Sequence, residues 1–285
     1  MKSYLIALGI LCTIHFATSQ GFKGDTWAEA QRTKKAGLII TEVHSPGFSV
    51  VKDGQRTGMC YNMMNDFAEY VQNTYGIRVS YKYQTLANTT NFQLFLSAIQ
   101  QSAGGVFGLG SVTITDQRKK TYEFTPPFFS NMSVLVTNGN VRELSSLRNI
   151  SESFKGMKAV SQGGTTHDKL LNELKTKYGG FDIIYAASSI DKEILVEKSP
   201  NFFTYMDLPN FLELKAKGKN VMRHSVGDVS GDYYGIIMPK GSDWAPIITE
   251  FFEANGGYVN SEVYREALVE NFDSEVVKLM DQLAN

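Results

Sequence analysis

The chain has 285 residues, of which 42% are hydrophobic and 20% are charged, and its formal charge at pH 7 is −1. This composition excludes a disordered chain, and the length allows one large domain or two ordinary ones. The near-neutral charge gives no electrostatic reason to expect nucleic acid or an anionic membrane as the main partner.

The first 19 residues predict a cleaved export signal. Lys2 provides a positive charge, residues 4–16 are mostly apolar, and residues 17–19 are small, as signal peptidase requires. We therefore expect a mature chain that starts near Gln20 and lies in the periplasm or outside the cell. No later run approaches the ~20 uninterrupted apolar residues of a membrane-spanning helix.

Cysteine and histidine spacing predicts neither a disulfide nor a metal site. Loss of the signal leaves Cys60 alone in the mature chain, inside an apolar helical pattern where a cysteine acts as a small core residue. His44, His167 and His224 are scattered without metal-ligand spacing. We expect no metal and no cofactor. His167 follows the pair Thr165-Thr166 and can reach a ligand cleft, but a histidine early in a helix is more often exposed.

Short β-rich runs alternate with helical patterns in the first half, which predicts an α/β fold. The helical segments show the i, i+3, i+4, i+7 spacing of one buried face. We expect strands at 37–41, 77–83, 106–115 and 133–137, and helices at 59–72 and 92–100.

The alternation restarts after a polar connector near Asn138. We expect strands at 157–161, 181–186, 202–206 and 233–238, and helices through 170–174, at 190–197 and in three C-terminal stretches near 244–251, 263–268 and 276–283. The long segment between Asp207 and Tyr233 reads as a connector. Because no repeat or low-complexity linker separates the halves, we expect two α/β lobes joined by strands that run directly from one sheet to the other.

The stretch "SVTITDQRKKTYEFTPPFFS" at 111–130 has two interpretations. Arg118 stays charged at any physiological pH and has a planar fork of donors that fits a carboxylate, and the hydroxyls of Thr113 and Thr115 lie close by in sequence. Arg118, Lys119 and Lys120 can equally be a solvated basic turn.

The run Gln162-Gly163-Gly164-Thr165-Thr166 lies between a strand and a helix. Unpaired N–H groups at a helix N-terminus attract an anion, but a threonine there can also simply cap the helix. The nucleotide-binding spacing GxxxxGK[ST] is absent.

Two further features can contribute to a pocket. Asp207 directly follows a strand, where ligands commonly dock in α/β sheets, or it begins a turn before Pro209. The segment His44-Ser45-Pro46-Gly47-Phe48 and the side chain of Phe92 can wall a pocket, although isolated phenylalanines are more often core.

At this point a family resemblance emerges. The pattern G-x-x-T-I-T-x-x-R-K-K followed by "YEFTPPFF" resembles the family-3 extracellular solute-binding proteins, which serve amino-acid ABC importers. The segments "SPGF", "GMCYNMMNDFAEYV", "QGGTTHDKLL", "FFTYMDLPNF" and "YYGIIMPKGSDW" follow in the order of that family.

The resemblance implies a type II periplasmic-binding fold, with two α/β lobes, two hinge strands and a ligand cleft between the lobes. Lobe 1 would comprise residues 20–136 and 234–285, and lobe 2 would comprise residues 137–233. The crossings would lie near 135–137 and 233–235.

The resemblance also assigns roles to residues on both sides of the cleft. Arg118 would hold a ligand α-carboxylate, helped by Thr113, Thr165 and Thr166. Asp207 and the backbone of Ser111 would take the α-ammonium, and Phe48 and Phe92 would line the side-chain region, with His44 beside them.

These roles imply a monomeric, non-catalytic protein that captures a small amino acid or related carboxylate and presents it to the membrane permease of an ABC importer. Two alternatives remain open: an exported enzyme of the same fold, similar to cyclohexadienyl dehydratase, and a soluble ligand sensor for a membrane receptor. Three glycosylation sequons begin at Asn88, Asn131 and Asn149.

Overall fold

The computed structural model describes residues 21–283, so the export signal expected at residues 1–19 lies outside the described residues. The strands of this range are β1 (Lys35–Glu42), β2 (Val50–Lys52), β3 (Gln55–Thr57), β4 (Arg78–Tyr83), β5 (Val106–Leu109), β6 (Tyr122–Phe124), β7 (Phe129–Asn138), β8 (Lys158–Ser161), β9 (Asp182–Tyr185), β10 (Phe202–Asp207), β11 (Val221–Tyr234) and β12 (Ile237–Pro239).

The helices of the same range are α1 (Trp27–Thr33), α2 (Met59–Tyr75), α3 (Phe92–Gln100), α4 (Asp116–Lys119), α5 (Ile150–Ser153), α6 (Thr166–Tyr178), α7 (Ser189–Lys198), α8 (Leu208–Ala216), α9 (Ala245–Glu253), α10 (Glu262–Asn271) and α11 (Ser274–Leu283). Between residues 21 and 283, no helix combines the length and apolar character needed to cross a bilayer.

The strands form two five-stranded sheets and a small β2-β3 hairpin. The first sheet has the order β4-β1-β5-β12-β6 and the second has the order β11-β7-β10-β8-β9. We call the part built on the first sheet the first lobe and the part built on the second sheet the second lobe. This mixed α/β architecture with two lobes confirms the fold predicted from the sequence.

The central strands of each lobe are covered on both faces, which explains their continuous apolar sequences. In β1, Leu38 and Ile40 pack on the α2 side, whereas Ile39 packs on the α3 side. In β7, Leu135 and its neighbours Val134 and Val136 likewise enter different cores on the two sides of the second sheet. Each fully buried aliphatic side chain of this kind contributes roughly 1.5–3 kcal/mol.

The two tryptophans pack against each other in the first lobe. Trp244 is fully buried, and its ring meets Trp27 edge to face with 5.0 Å between ring centroids. Its indole N–H donates to the carbonyl oxygen of Asp25 at 2.8 Å, so the polar atom of this core side chain is satisfied.

The chain changes sheet twice. It leaves the first sheet after β6, enters the second with β7, and returns between the end of β11 and β12. Strands β7 and β11 pair antiparallel along most of their length, from Phe129 opposite Tyr234 to Asn138 opposite Val221. Residues 135–137 therefore lie within β7, already in the second sheet, whereas residues 233–235 lie where the chain returns.

Most expected elements are present, but three segments differ. The strand expected at 106–115 ends at Leu109, because Gly110 has a φ of 152° and Thr115 caps α4. The strand expected at 233–238 is divided between β11 and β12, which belong to different sheets. The expected connector after Asp207 instead forms α8 and β11, since Pro209 occupies the first turn of a helix, where proline is tolerated.

Candidate functional site

A cavity lies between the two lobes, at the carboxyl ends of several strands. Its volume is about 70 Å³, which is room for a handful of water molecules or a compact solute. The lining residues are Val43, His44, Ser45, Pro46, Thr90, Phe92, Ser111, Thr113, Arg118, Gln162, Thr165, Thr166, His167, Ser189, Lys192, Met206, Asp207 and Asn210.

The lobes touch each other directly at the cavity rim. Gln93 donates through Nε2 to the carbonyl oxygen of Gly163 at 2.9 Å, and Gln162 donates through Nε2 to the carbonyl oxygen of Thr90 at 3.2 Å. Arg118 adds a third bond, from Nη2 to the carbonyl oxygen of Gly164 at 3.3 Å. The described conformation is therefore a closed one.

Arg118 points into the cleft from the short helix α4. The hydroxyl of Thr115 caps this helix by accepting the backbone N–H of Arg118 at 3.1 Å, and Nη1 of Arg118 donates to the carbonyl oxygen of Thr113 at 2.8 Å. The guanidinium carbon lies 5.0 Å from the centre of the Phe92 ring, within cation–π range. Burial lowers the pKa of Arg118, but an arginine stays protonated in proteins.

The two lysines that follow Arg118 behave differently. The Lys119 side chain is 60% exposed and lies 3.9 Å from the exposed Asp116, and Lys120 is exposed as well. One residue of the basic run is therefore part of the cavity wall, and the other two belong to the solvated surface.

Ser111 and Thr113 lie in the loop after β5. The Ser45 hydroxyl donates to the Ser111 hydroxyl at 2.7 Å and accepts the Ser111 backbone N–H at 3.1 Å. Thr113 forms a β-bridge with Tyr234, at the end of β11. This loop is thus attached both to the first lobe and to a crossing strand.

The start of α6 forms the opposite wall of the cavity. Thr165 caps the helix, because its hydroxyl accepts the backbone N–H of Asp168 at 3.1 Å and donates to the carbonyl oxygen of Gln162 at 2.8 Å. Thr166 is the first helical residue. Capping and cavity lining therefore coexist here, and the first-turn amides of this thirteen-residue helix provide a partial positive charge at the cavity.

Asp207 ends β10 and precedes α8, with a side chain that is 14% exposed. Its Oδ1 accepts from Nδ2 of Asn131 at 2.7 Å and lies 3.2 Å from Nε2 of His167. Burial alone would raise the pKa of Asp207, but the nearby His167 and its hydrogen bonds hold that pKa below its usual value. Asp207 is therefore an anion inside the cleft.

Of the three remaining expected residues, two lie in the cavity wall. Phe92 and His44 line the cavity, and burial lowers the pKa of His44. Phe48 does not line it: this side chain is 1% exposed and its ring centre lies 4.8 Å from that of Phe129 and 4.9 Å from that of Phe272. Phe48 is therefore core, as isolated phenylalanines usually are.

The cavity wall also contains two ionisable residues that sequence analysis did not assign to the site. His167 is 8% exposed rather than solvated, because Asp207 from the neighbouring strand pairs with it. Lys192 of α7 is 3% exposed and donates through Nζ to the carbonyl oxygen of Tyr205 at 2.8 Å. Burial lowers the pKa of Lys192. A lysine in an ordinary helical segment gives no sequence signal of burial.

Metal coordination finds no support in the described part of the chain. Within residues 21–283, no group of three or more histidine, cysteine, aspartate or glutamate side chains is placed to hold a metal ion. Cys60, the free thiol of this range, is buried in the α2 core.

The sequence matches the family of bacterial extracellular solute-binding proteins, family 3, over residues 38–254. This match spans well over half of the chain. The protein therefore belongs to the family-3 extracellular solute-binding proteins, as the sequence motifs predicted.

Several solved structures are similar to this one. An ancestral arginine-binding protein bound to arginine has a TM-score of 0.64 at 19% identity, over 83% of this chain and 98% of that chain. The arginine-, lysine-, histidine-binding protein ArtJ of Geobacillus stearothermophilus has a TM-score of 0.60 at 16% identity, over 87% and 100%.

The GluR0 ligand-binding core of Nostoc punctiforme in complex with L-glutamate has a TM-score of 0.61 at 17% identity, over 83% and 99%. At these identities the likeness shows the fold alone. That fold is the two-lobed periplasmic-binding fold, which confirms the fold class predicted from the sequence.

Proposed function

We propose that this protein captures a small α-amino acid or a related carboxylate between its lobes. The observation that carries the proposal is that Arg118 of the first lobe and Asp207 of the second lobe face one closed cavity. A zwitterion needs one cation and one anion, and here they come from opposite lobes, so that the ligand itself links the lobes.

The α-carboxylate would bind Arg118. Two N–H groups of the Arg118 guanidinium already donate to the carbonyl oxygens of Thr113 and Gly164. These bonds fix the guanidinium and leave its other N–H donors for a carboxylate. The Thr113 hydroxyl and the first-turn amides at Thr165 and Thr166 would complete this anion site from both lobes.

The α-ammonium would bind Asp207, with the backbone of Ser111 as a second acceptor. The ligand side chain would then extend along the part of the cavity bounded by His44 and Phe92. Neighbouring structures hold arginine and L-glutamate, which agrees with an amino acid as the class of ligand.

Capture would be coupled to closure. Strands β7 and β11 are the segments by which the chain passes between the sheets, so we place the hinge there. Residues 20–136 and 234–285 would then form one lobe, and residues 137–233 would form the other. A ligand that contacts both lobes shifts the population towards the closed state. We further propose that the exported, monomeric protein presents its ligand to the permease of an ABC importer.

The direct test is a thermal-shift screen with amino acids and small organic acids. A ligand at about 100 times its Kd stabilises the folded protein by about 2.7 kcal/mol, so at least one amino acid should raise the melting temperature. The confirmed ligand is then titrated into Arg118→Ala and into Lys119→Ala, a matched control whose side chain is solvated.

We expect Arg118→Ala to abolish measurable affinity and Lys119→Ala to retain it. If no zwitterion or carboxylate raises the melting temperature, the proposed function is wrong. Equal affinity of the two variants would mean that Arg118 does not bind the ligand and is only part of a basic turn.

We also propose that capture is not followed by chemistry. The His167 imidazole, the most buried one in the cavity wall, contacts Asp207, so these two groups position each other. Mass spectrometry after long incubation should return the ligand unchanged. A product formed at a rate proportional to protein concentration would support the dehydratase alternative instead.

A further inference from the structure

Lys192 is a buried cation in the cavity wall. It is 3% exposed, and among the described residues the only hydrogen bond of its ammonium runs to the carbonyl oxygen of Tyr205. No carboxylate of the described residues lies within ion-pair distance of it, since none of the ion pairs between residues 21 and 283 includes Lys192. A buried ammonium without a counter-charge is costly.

The carboxylates nearest to Lys192 are engaged elsewhere. Asp207 accepts from Asn131 and contacts His167, and Glu193 accepts from Nδ2 of Asn210 at 3.2 Å. Both raise the pKa of Lys192 through space, but neither contacts its ammonium. The ammonium thus retains donors for a partner that the protein does not provide.

The surroundings of Lys192 favour an anion further. Ser189 begins the ten-residue helix α7 and also lines the cavity, so the positive end of this helix lies beside Lys192. Met206 and Asn210 complete this part of the wall without adding a charge. Arg118 and Asp207 would be occupied by the two α-groups of a ligand, whereas Lys192 is not used by them.

We propose that Lys192 binds a second carboxylate on the ligand side chain, so that the preferred ligand is an acidic α-amino acid of the aspartate or glutamate type. This inference rests on the proposed function, because it assigns the α-groups to Arg118 and Asp207. It predicts selection for a negative side chain rather than for a neutral amide or a basic side chain.

The test is isothermal titration of the wild-type protein with L-aspartate and L-asparagine, with L-glutamate and L-glutamine, and with L-arginine. Each acid and its amide differ chiefly in charge, so their affinity ratio measures the contribution of the second carboxylate. We expect the better acid to bind at least about tenfold tighter than its amide, as a hydrogen-bonded charge pair implies. Succinate, which lacks the α-ammonium, should bind more weakly than the acidic amino acid.

The variant Lys192→Met keeps the length of the side chain and removes its charge. We expect the acid-to-amide ratio to fall to within about threefold in Lys192→Met, and to persist in Lys198→Met, a matched control on the same helix with an exposed side chain. If Lys192→Met does not fold, the acid-to-amide affinity ratios of the wild-type protein test the proposal on their own.

The outcomes separate this inference from the proposed function. Binding of no amino acid would overturn both. Tighter binding of an amide or of arginine than of the acids, or a ratio that persists in a folded Lys192→Met, would overturn the role of Lys192 and leave amino-acid capture intact.

Discussion

At the scale of single residues, the Asp207 carboxylate is kept ionised by its neighbours instead of by water. Burial would raise its pKa, but His167 and further hydrogen-bond donors lower the pKa below the usual value. Asn131, on the crossing strand β7, also donates to this carboxylate, at 2.7 Å. The anion is therefore available to an ammonium group even in a mildly acidic compartment.

Replacement of Asp207 by asparagine should weaken ligand binding about tenfold to a hundredfold, because the ligand ammonium then faces a neutral amide instead of a charged carboxylate. Titration calorimetry with the confirmed ligand measures the change. Asp116→Asn serves as the control, since the Asp116 side chain is 99% exposed and lies beside Arg118 in sequence. An unchanged affinity of Asp207→Asn would remove Asp207 from the ammonium site.

A second residue, His224 of β11, makes stability depend on pH. Its ring is fully buried, Nδ1 accepts the backbone N–H of Leu144 at 3.0 Å, and Nε2 lies 2.8 Å from the Thr137 hydroxyl. The Leu144 bond requires an unprotonated Nδ1, so the neutral ring carries its proton on Nε2. Burial lowers the pKa of His224 to about 4.

The unfolding free energy should therefore decrease as the pH is lowered through a defined window. Because the unfolded chain binds a proton near 6.5 and the folded chain near 4, the unfolded state binds more protons between these values, and acid favours it. Up to roughly 3 kcal/mol of unfolding free energy should be lost as the pH falls from 6.5 to 4. Urea unfolding at a series of pH values measures this loss.

His224→Gln should flatten the pH dependence of the unfolding free energy in this window. The slope that remains in the variant comes from other groups, among them His44, whose pKa burial also lowers. Identical slopes in wild type and His224→Gln would show that His224 is not the group that titrates.

At the scale of elements, α7 shows where sequence patterns stop being informative. Ile190 and Ile194 are four residues apart, the spacing of one helix face, yet they are 37% and 41% exposed. The helix turns Lys192 and Val196 inward instead. Lys192 faces the cleft because other elements provide its polar contacts, such as the carbonyl oxygen of Tyr205 in β10. The sequence of α7 alone does not contain these contacts, so it could not predict that Lys192 is buried.

Local sequence patterns predicted the helices better than the strands that pair over long distances in sequence. Helices α2 and α3 follow from local apolar spacing and were predicted with almost correct bounds. Residues 221–232 of β11 were not predicted as strand, because Gly227 and Gly231 interrupt the pattern and the register with β7 shifts at irregular positions. Its partner lies about a hundred residues earlier in the chain, so the pairing is non-local.

The Gly163-Gly164 turn before α6 is an element whose shape controls lobe contact. Gly164 has a φ of 75°, and a Cβ placed there would lie 1.6 Å from Nε2 of Gln93, the atom that bonds to Gly163 across the cleft. Gly218 provides a matched comparison, since its φ of 68° carries similar strain but its Cβ would meet nothing within 4 Å.

Gly164→Ala should weaken ligand binding about threefold to tenfold, because it displaces one cross-lobe hydrogen bond. Both Gly164→Ala and Gly218→Ala should lose about 1 kcal/mol or more of unfolding free energy through backbone strain, but Gly218→Ala should keep its affinity. In a Gln93→Ala background the additional affinity loss of Gly164→Ala should shrink. Equal affinities of the two alanine variants would mean that this contact does not stabilise closure.

At the scale of the whole molecule, the order of motifs along the chain was enough to predict the family and its two-lobed α/β fold. Arg118, Thr165 and Asp207 are far apart in sequence, and the cleft brings them together because they lie in the short helix α4, at the N-cap of α6 and at the end of β10. The first crossing was harder to locate: residues 129–132 of β7 are partly polar, and they become strand only by pairing with β11.

The placement of both tryptophans in the first lobe has a practical consequence for spectroscopy. Trp27 and Trp244 form one contacting pair, whereas the chain between β7 and the end of β11 contains tyrosine but no tryptophan. Indole emission should therefore report unfolding of the first lobe alone, whereas far-ultraviolet circular dichroism averages over both. Coincident denaturation curves from the two signals would show that the lobes melt as one cooperative unit, and separated curves that become coincident when ligand is added would show that the ligand couples them.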